Sequence, residues 1–144
     1  MSTYPSEESI GYLLNQASRS VIARLGDQLR ELGLDEHGWI VLRNAYAHQG
    51  NGCTPFAIAT QLHIPAAVNV TAATRLVRDG WLTTGDGKPV GETSSLCITQ
   101  KAKDMMPGLE DTARWVVMHA TNGFSARECE EFTTLLKRFN ENLS

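Results

Sequence analysis

At 144 residues and 42% hydrophobic content, the chain is long enough for one domain with its own core and too apolar for a disordered segment. A formal net charge of −3 excludes the global basic field of many nucleic-acid binders, so any attraction to phosphates has to be local. Cys53, Cys97 and Cys129 include no CxxC pair, which argues against a disulfide framework and a structural zinc site.

Taken in chain order, Ile10, Leu13, Leu14, Ala17, Val21 and Leu25 recur at helical spacing and predict a long amphipathic helix ending near Leu32 and Gly33. Asp35 offers an N-cap for a second helix through Trp39, Leu42 and Tyr46, closed by the polar, Gly-rich run 49–52. A short helix over 56–62 follows, then another over 65–79 with Pro65 at its first position, where a missing N–H is no loss. Gly80 can take the positive φ of a helix stop. Strands near 81–84 and 95–99 flank a loop, 85–91, too rich in Gly and Pro to be strand interior. Thr99 caps a helix from Gln100, which Pro107 and Gly108 should kink or split before it resumes through Leu109, Val116 and Ala120. Ser125-Ala126-Arg127-Glu128 matches a capping box and opens a last helix.

The fold class is therefore mainly α with a small β-hairpin: one unit over 1–144, with a winged helix-turn-helix lobe at 36–99. Segments 6–34 and 100–144 form a second lobe. Its first and last helices carry apolar stripes, Ile10 and Leu13 on one and Phe132, Leu136 and Phe139 on the other, which suit pairing with a second copy. Residues 1–6 contain no basic region followed by an apolar block, and no segment approaches the roughly 18 apolar residues of a membrane span. The expectation is a cytoplasmic homodimer with no membrane association, metal or cofactor.

In this order the elements resemble the MarR family of bacterial transcriptional regulators. The resemblance rests on residues 11–14 with 17–19, on Leu32-Gly33-Leu34 leading to Trp39-Ile40-Val41-Leu42-Arg43, on Ile58-Ala59-Thr60-Gln61-Leu62, on the run 74–82, and on Ile98-Thr99. It implies a homodimer that binds pseudo-palindromic operators on double-stranded DNA, represses nearby genes and releases them on binding a small phenolic or aromatic effector or on cysteine oxidation. On that reading Asn69 and Thr71 contact bases from a helix opening that includes Ala66 and Ala67. Lys88 tracks the backbone from the wing, and Arg75 supports the helix. Asn can pair bidentately with adenine, and Thr can meet a thymine methyl. Two departures stand out. The family's recognition helix opens with charged and hydroxyl residues where Pro65, Ala66, Ala67 and Val68 stand here, and its wing carries an Asp followed closely by an Arg, whereas this loop has Asp86, Lys88 and Glu92. Between Thr54 and Thr99, Arg75, Arg78 and Lys88 are balanced by Asp79, Asp86 and Glu92, so the lobe is formally neutral and its binding should depend little on salt. Arg19, Arg24, Lys101 and Lys103 are the flanking residues that could add phosphate contacts.

The resemblance also implies an effector site where the two lobes meet, for which Tyr12, Trp39, Tyr46 and His48 could supply aromatic walls with polar tips. Of the thiols, Cys53 in its Gly-rich loop is expected to be exposed, and Cys97 and Cys129 to lie on apolar faces. No catalytic constellation is present: Glu128, Glu130 and Glu131 read as a solvated helix face, and the glycines near residue 50 lack the strand-to-helix context of a phosphate loop. A second reading keeps the fold but assigns the chain to protein interaction or ligand sensing, with weak or lost operator binding.

Overall fold

The computed structural model describes residues 5–48 and 52–144, with side chains from Ser9 onward. The expected loop at Gln49, Gly50 and Asn51 lies outside the described residues. In chain order the elements are α1 (Pro5–Glu31), α2 (Glu36–Ala47), α3 (Pro55–Leu62), α4 (Ala66–Arg78), β1 (Leu82–Thr84), β2 (Leu96–Ile98), α5 (Gln100–Ala120) and α6 (Ala126–Leu143).

Local chemistry sets most of these boundaries. At α2 the Asp35 carboxylate accepts from the Gly38 N–H at 2.7 Å, and at α3 the Thr54 hydroxyl accepts from Ala57 N–H at 3.0 Å. Thr99 caps α5 through Ala102 N–H, and Ser125 and Glu128 exchange both bonds of the capping box at 3.0 and 2.9 Å. Two helices stop in the same way. After α1, Gly33 at φ +75° lets Leu34 N–H reach back to Leu29 carbonyl; after α4, Gly80 at φ +84° lets Trp81 N–H reach Leu76 carbonyl. In both, the residue that reaches back is apolar and buried. Pro65 departs from expectation: its ψ of 133° places it outside α4 as the N-cap residue, and no side chain caps that helix.

α2 is central, packing on α1, α3, α4, α5 and β2. Its Val41, Leu42 and Ala45 join Ile58, Ala73, Leu76, Trp81, Leu82 and Leu96 in one cluster, extended by Leu25 and Leu29 of α1 and Met106 and Leu109 of α5. The antiparallel hairpin pairs Leu82 with Ile98 and Thr84 with Leu96, so Leu82 and Leu96 turn into the core while Cys97 faces out. α5 runs as one helix through Pro107, so of the kink or split expected there the split does not occur. Ala102 and Met106 before the proline and Leu109 and Val116 after it are all buried, and Pro107 itself faces solvent, where water can take the carbonyl it leaves unpaired.

Candidate nucleic-acid interface

α3, the turn at His63 and Ile64, and α4 form the helix-turn-helix, with the 85–95 loop of the hairpin beside it as the wing. His63 makes the turn in the left-handed region at φ 55°. Asn69, Ala72, Ala73 and Leu76 are the buried side of α4, so its outward face carries Ala67, Thr71, Thr74 and Arg78. The hydroxyls of Thr71 and Thr74 donate to the carbonyls of Ala67 and Val70 at 3.1 and 2.8 Å, which leaves their oxygens as acceptors and their methyl groups free.

Asn69 cannot read a base in this arrangement. Its side chain is 1% exposed, and its Nδ2 donates to the Pro55 carbonyl at 3.2 Å, pointing into the helix pair rather than away from it. Ala67 and Thr71 do lie outward, and Ala66 is half-buried at the first turn. Both arginines of the helix are engaged: Arg75 pairs with Asp35 at 3.3 Å and Arg78 with the adjacent Asp79 at 3.2 Å. These pairs neutralise the face a phosphate would meet. Of the flanking cations, Lys101 is also occupied, donating to Asp79 carbonyl at 2.9 Å and resting 4.4 Å from the centre of the Trp81 ring.

The wing tip is tied up locally. Asp86 accepts from the Lys88 N–H at 2.9 Å, and the Thr84 hydroxyl donates to the Lys88 carbonyl at 2.8 Å, so the exposed Lys88 side chain rises from a fixed turn. Farther along the loop, Glu92 carbonyl accepts from Phe56 N–H and Cys53 carbonyl accepts from Leu96 N–H, which fastens the wing to the start of α3. The cysteines reverse the expected order: Cys53 is buried, Cys97 exposed and Cys129 intermediate. Burial pushes the Cys53 thiol above its ordinary value, away from the thiolate that oxidant chemistry needs.

A cavity of about 780 Å³ opens between α1, α2 and α5, reaching Gln61 and Leu62 of α3. Trp39 and His48 line it as expected; Tyr12 and Tyr46 do not. Tyr12 is exposed on a different part of α1, beside Arg19, and Tyr46 packs half-buried against the core. The walls that the sequence did not single out are Ile22, Ile40, Val117 and the Arg43–Glu110 ion pair at 3.7 Å, drawn from three helices and therefore without a local signature.

Comparison of the whole arrangement with known structures gives full-length matches. A MarR transcriptional regulator from Methanosarcina mazei superposes with a TM-score of 0.84 at 20% identity, covering 95% of this chain and 96% of the other. The chain has the MarR fold. A MarR-family regulator from Listeria monocytogenes complexed with a 26mer DNA matches with a TM-score of 0.77 at 18% identity over 90% of this chain and 85% of its own. CouR from Rhodococcus jostii, bound to p-coumaroyl-CoA, matches at 0.76 and 15% identity over 91% of each. No family model and no curated protein matches the sequence. The MarR fold here is thus carried by the placement of apolar positions, caps and turns, on a chain whose outward α4 face holds Ala67, Thr71 and Thr74 beside Arg78.

Proposed function

We propose that this chain is a bacterial, MarR-type transcriptional regulator that acts in the cytoplasm as a homodimeric repressor and is released from double-stranded DNA by a small aromatic effector. The observation that carries the reading is the match of about nine-tenths of the chain to a fold seen in a DNA complex and in a ligand complex. The outward Ala67, Thr71 and Thr74 supply methyl and hydroxyl contacts to base edges, and Lys88 supplies a backbone contact from the wing. Arg75 braces α4 against α2 through Asp35. The effector occupies the cavity lined by Trp39 and His48, its ring against Ile22, Ile40 and Val117 and its polar end toward Arg43, competing with Glu110.

A second copy covers the groove of about 750 Å³ between α1 and α6, whose walls include Ile10, Leu13, Leu14, Phe132, Leu136 and Phe139. No residue of α6 is buried in the single chain, although its apolar residues lie on one face. This supports the division into a central reading lobe at 36–99 and a dimerisation lobe from 6–34 and 100–144.

A second reading has its own support. With Arg75 and Arg78 both ion-paired and the lobe formally neutral, the fold can serve as a ligand-sensing or interaction protein that binds operators weakly or not at all. Fluorescence anisotropy with the duplex upstream of the gene and a scrambled duplex, repeated over a salt series, separates the two. Selective binding with a shallow salt slope is the expected result; equal, feeble binding to both duplexes establishes the second reading.

A further inference from the structure

The Asn69 carboxamide is costly where it sits. It is 1% exposed on the packed side of α4, its Oδ1 is buried without a hydrogen-bond partner, and an orphaned buried acceptor lowers stability unless something offsets it. The Nδ2 bond to Pro55 is the offset, and it is also a directional link between the two helices. Near it, α4 presents Ala72 and Ala73, short side chains that permit close approach but do little to resist sliding or rotation of one helix on the other.

The other end of the bond lies in an unusually connected segment. Within residues 53–56, Cys53 carbonyl accepts from Leu96 N–H of β2 at 2.8 Å, Phe56 N–H donates to Glu92 carbonyl of the wing at 2.9 Å, and Pro55 carbonyl receives Asn69. Thr54, between them, caps α3. Four consecutive residues thereby hold the recognition helix, the wing and the helix that crosses behind them. Of these links, the one to α4 is made by a side chain and so depends on residue identity.

We propose that Asn69 is a positioning residue: its buried amide fixes the rotation of α4 on α3, so that the outward face of α4 and the wing meet DNA as one rigid reading head. This rests on the DNA-binding reading above. The role differs from base contact in a measurable way. A base-reading residue, once removed, relaxes preference at one base pair, whereas a positioning residue weakens binding to every duplex alike.

The test is Asn69→Leu, close in size and without a donor. Duplexes selected by the wild-type protein from a random-sequence pool, together with their single-base-pair variants, serve as probes. The expected result is a thermal midpoint unchanged or raised, because the orphaned acceptor has gone, with affinity lowered on the order of five- to tenfold for all probes, about the weight of one net hydrogen bond. A role confined to stability would lower the midpoint and leave the affinity of the folded protein unchanged. If Leu overpacks and the variant does not fold, Asn69→Ala is measured in the same way well below its own midpoint. Affinity unchanged in the folded variant, or discrimination lost at a single base pair, overturns the proposal while the regulator reading stands. Failure of the wild-type protein to select any duplex removes both.

Discussion

The central lobe and the terminal helix α6 come from the same chain and both open helices on side-chain caps, yet they solve the burial problem in opposite ways. In the lobe, Trp81, Leu82, Leu42 and Ile58 are almost fully buried against one another. α6 has a reciprocal capping box and a strongly one-sided apolar face, but Phe132, Leu135, Phe139 and Leu143 remain exposed. A helix is specified by its caps and its periodicity; where its apolar face goes is a separate matter, settled by what else is present. The lobe finds its partners within the chain, whereas the apolar face of α6 is left uncovered by it.

That contrast can be broken most forcefully at Trp81. Removing a ring buried to 1% exposure leaves a cavity within the lobe core, and Trp81→Ala should cost about 3–5 kcal/mol. Loss of stability measured by urea unfolding should not depend on protein concentration if the lobe is self-sufficient. Leu136→Asp acts on the other region. A charge facing the α1–α6 groove should convert a dimer to a monomer by light scattering, with the lobe still folded. A variant that kept the dimer's mass would take that face out of the interface.

The thiols offer a finer comparison, since each region carries one that is not fully exposed and β2 carries one that is. At neutral pH a maleimide probe should react with Cys97 quickly and with Cys53 only when the lobe opens. The linkage has a definite sign. With its folded-state value raised by burial, the Cys53 thiol stabilises the fold fully below the ordinary value of 9.0, and this contribution is lost as pH rises through the higher folded value. Cys53→Ala should flatten that alkaline decline, visible as a smaller fall of the thermal midpoint above about pH 9.

Much of this was legible in the sequence because it was written locally. Asp35, Thr99 and the Ser125–Glu128 box cap the helices they were expected to cap, and Gly80 ends α4. Expectations failed where a tertiary contact outweighed a local preference. Pro107 was expected to kink or split α5, which runs on through it as one helix with buried residues on both sides. Asn69 has the side chain of a base reader, but the face it occupies is decided by Ala72, Ala73 and Leu76, which turn it inward. Helical periodicity through Ala67, Thr71, Thr74 and Arg78 could have shown this, since Asn69 falls opposite that stripe. Cys53 lies in a Gly-rich segment that reads as surface loop, yet its backbone pairs with β2 and its side chain is drawn into the core. The cavity is assembled from helices far apart in sequence, and no spacing could announce it.

The smallest effect isolates what Asp35 contributes to each of two elements. One carboxylate oxygen caps α2 by accepting from Gly38 N–H, and the other receives Arg75 from α4. Asparagine keeps the capping oxygen and loses the charge, so Asp35→Asn should change stability by only a few tenths of a kcal/mol, the usual weight of an exposed ion pair. Alanine loses both, and Asp35→Ala should cost about 1 kcal/mol. The two variants, compared by chemical denaturation in low and high salt, divide the residue's role. A loss in Asp35→Asn as large as that in Asp35→Ala, and screened by salt, would mean that α4 is held against α2 chiefly by charge. A loss confined to Asp35→Ala and insensitive to salt would leave the cap as the function of Asp35, and Arg75 free to exchange its carboxylate partner for a phosphate at little cost.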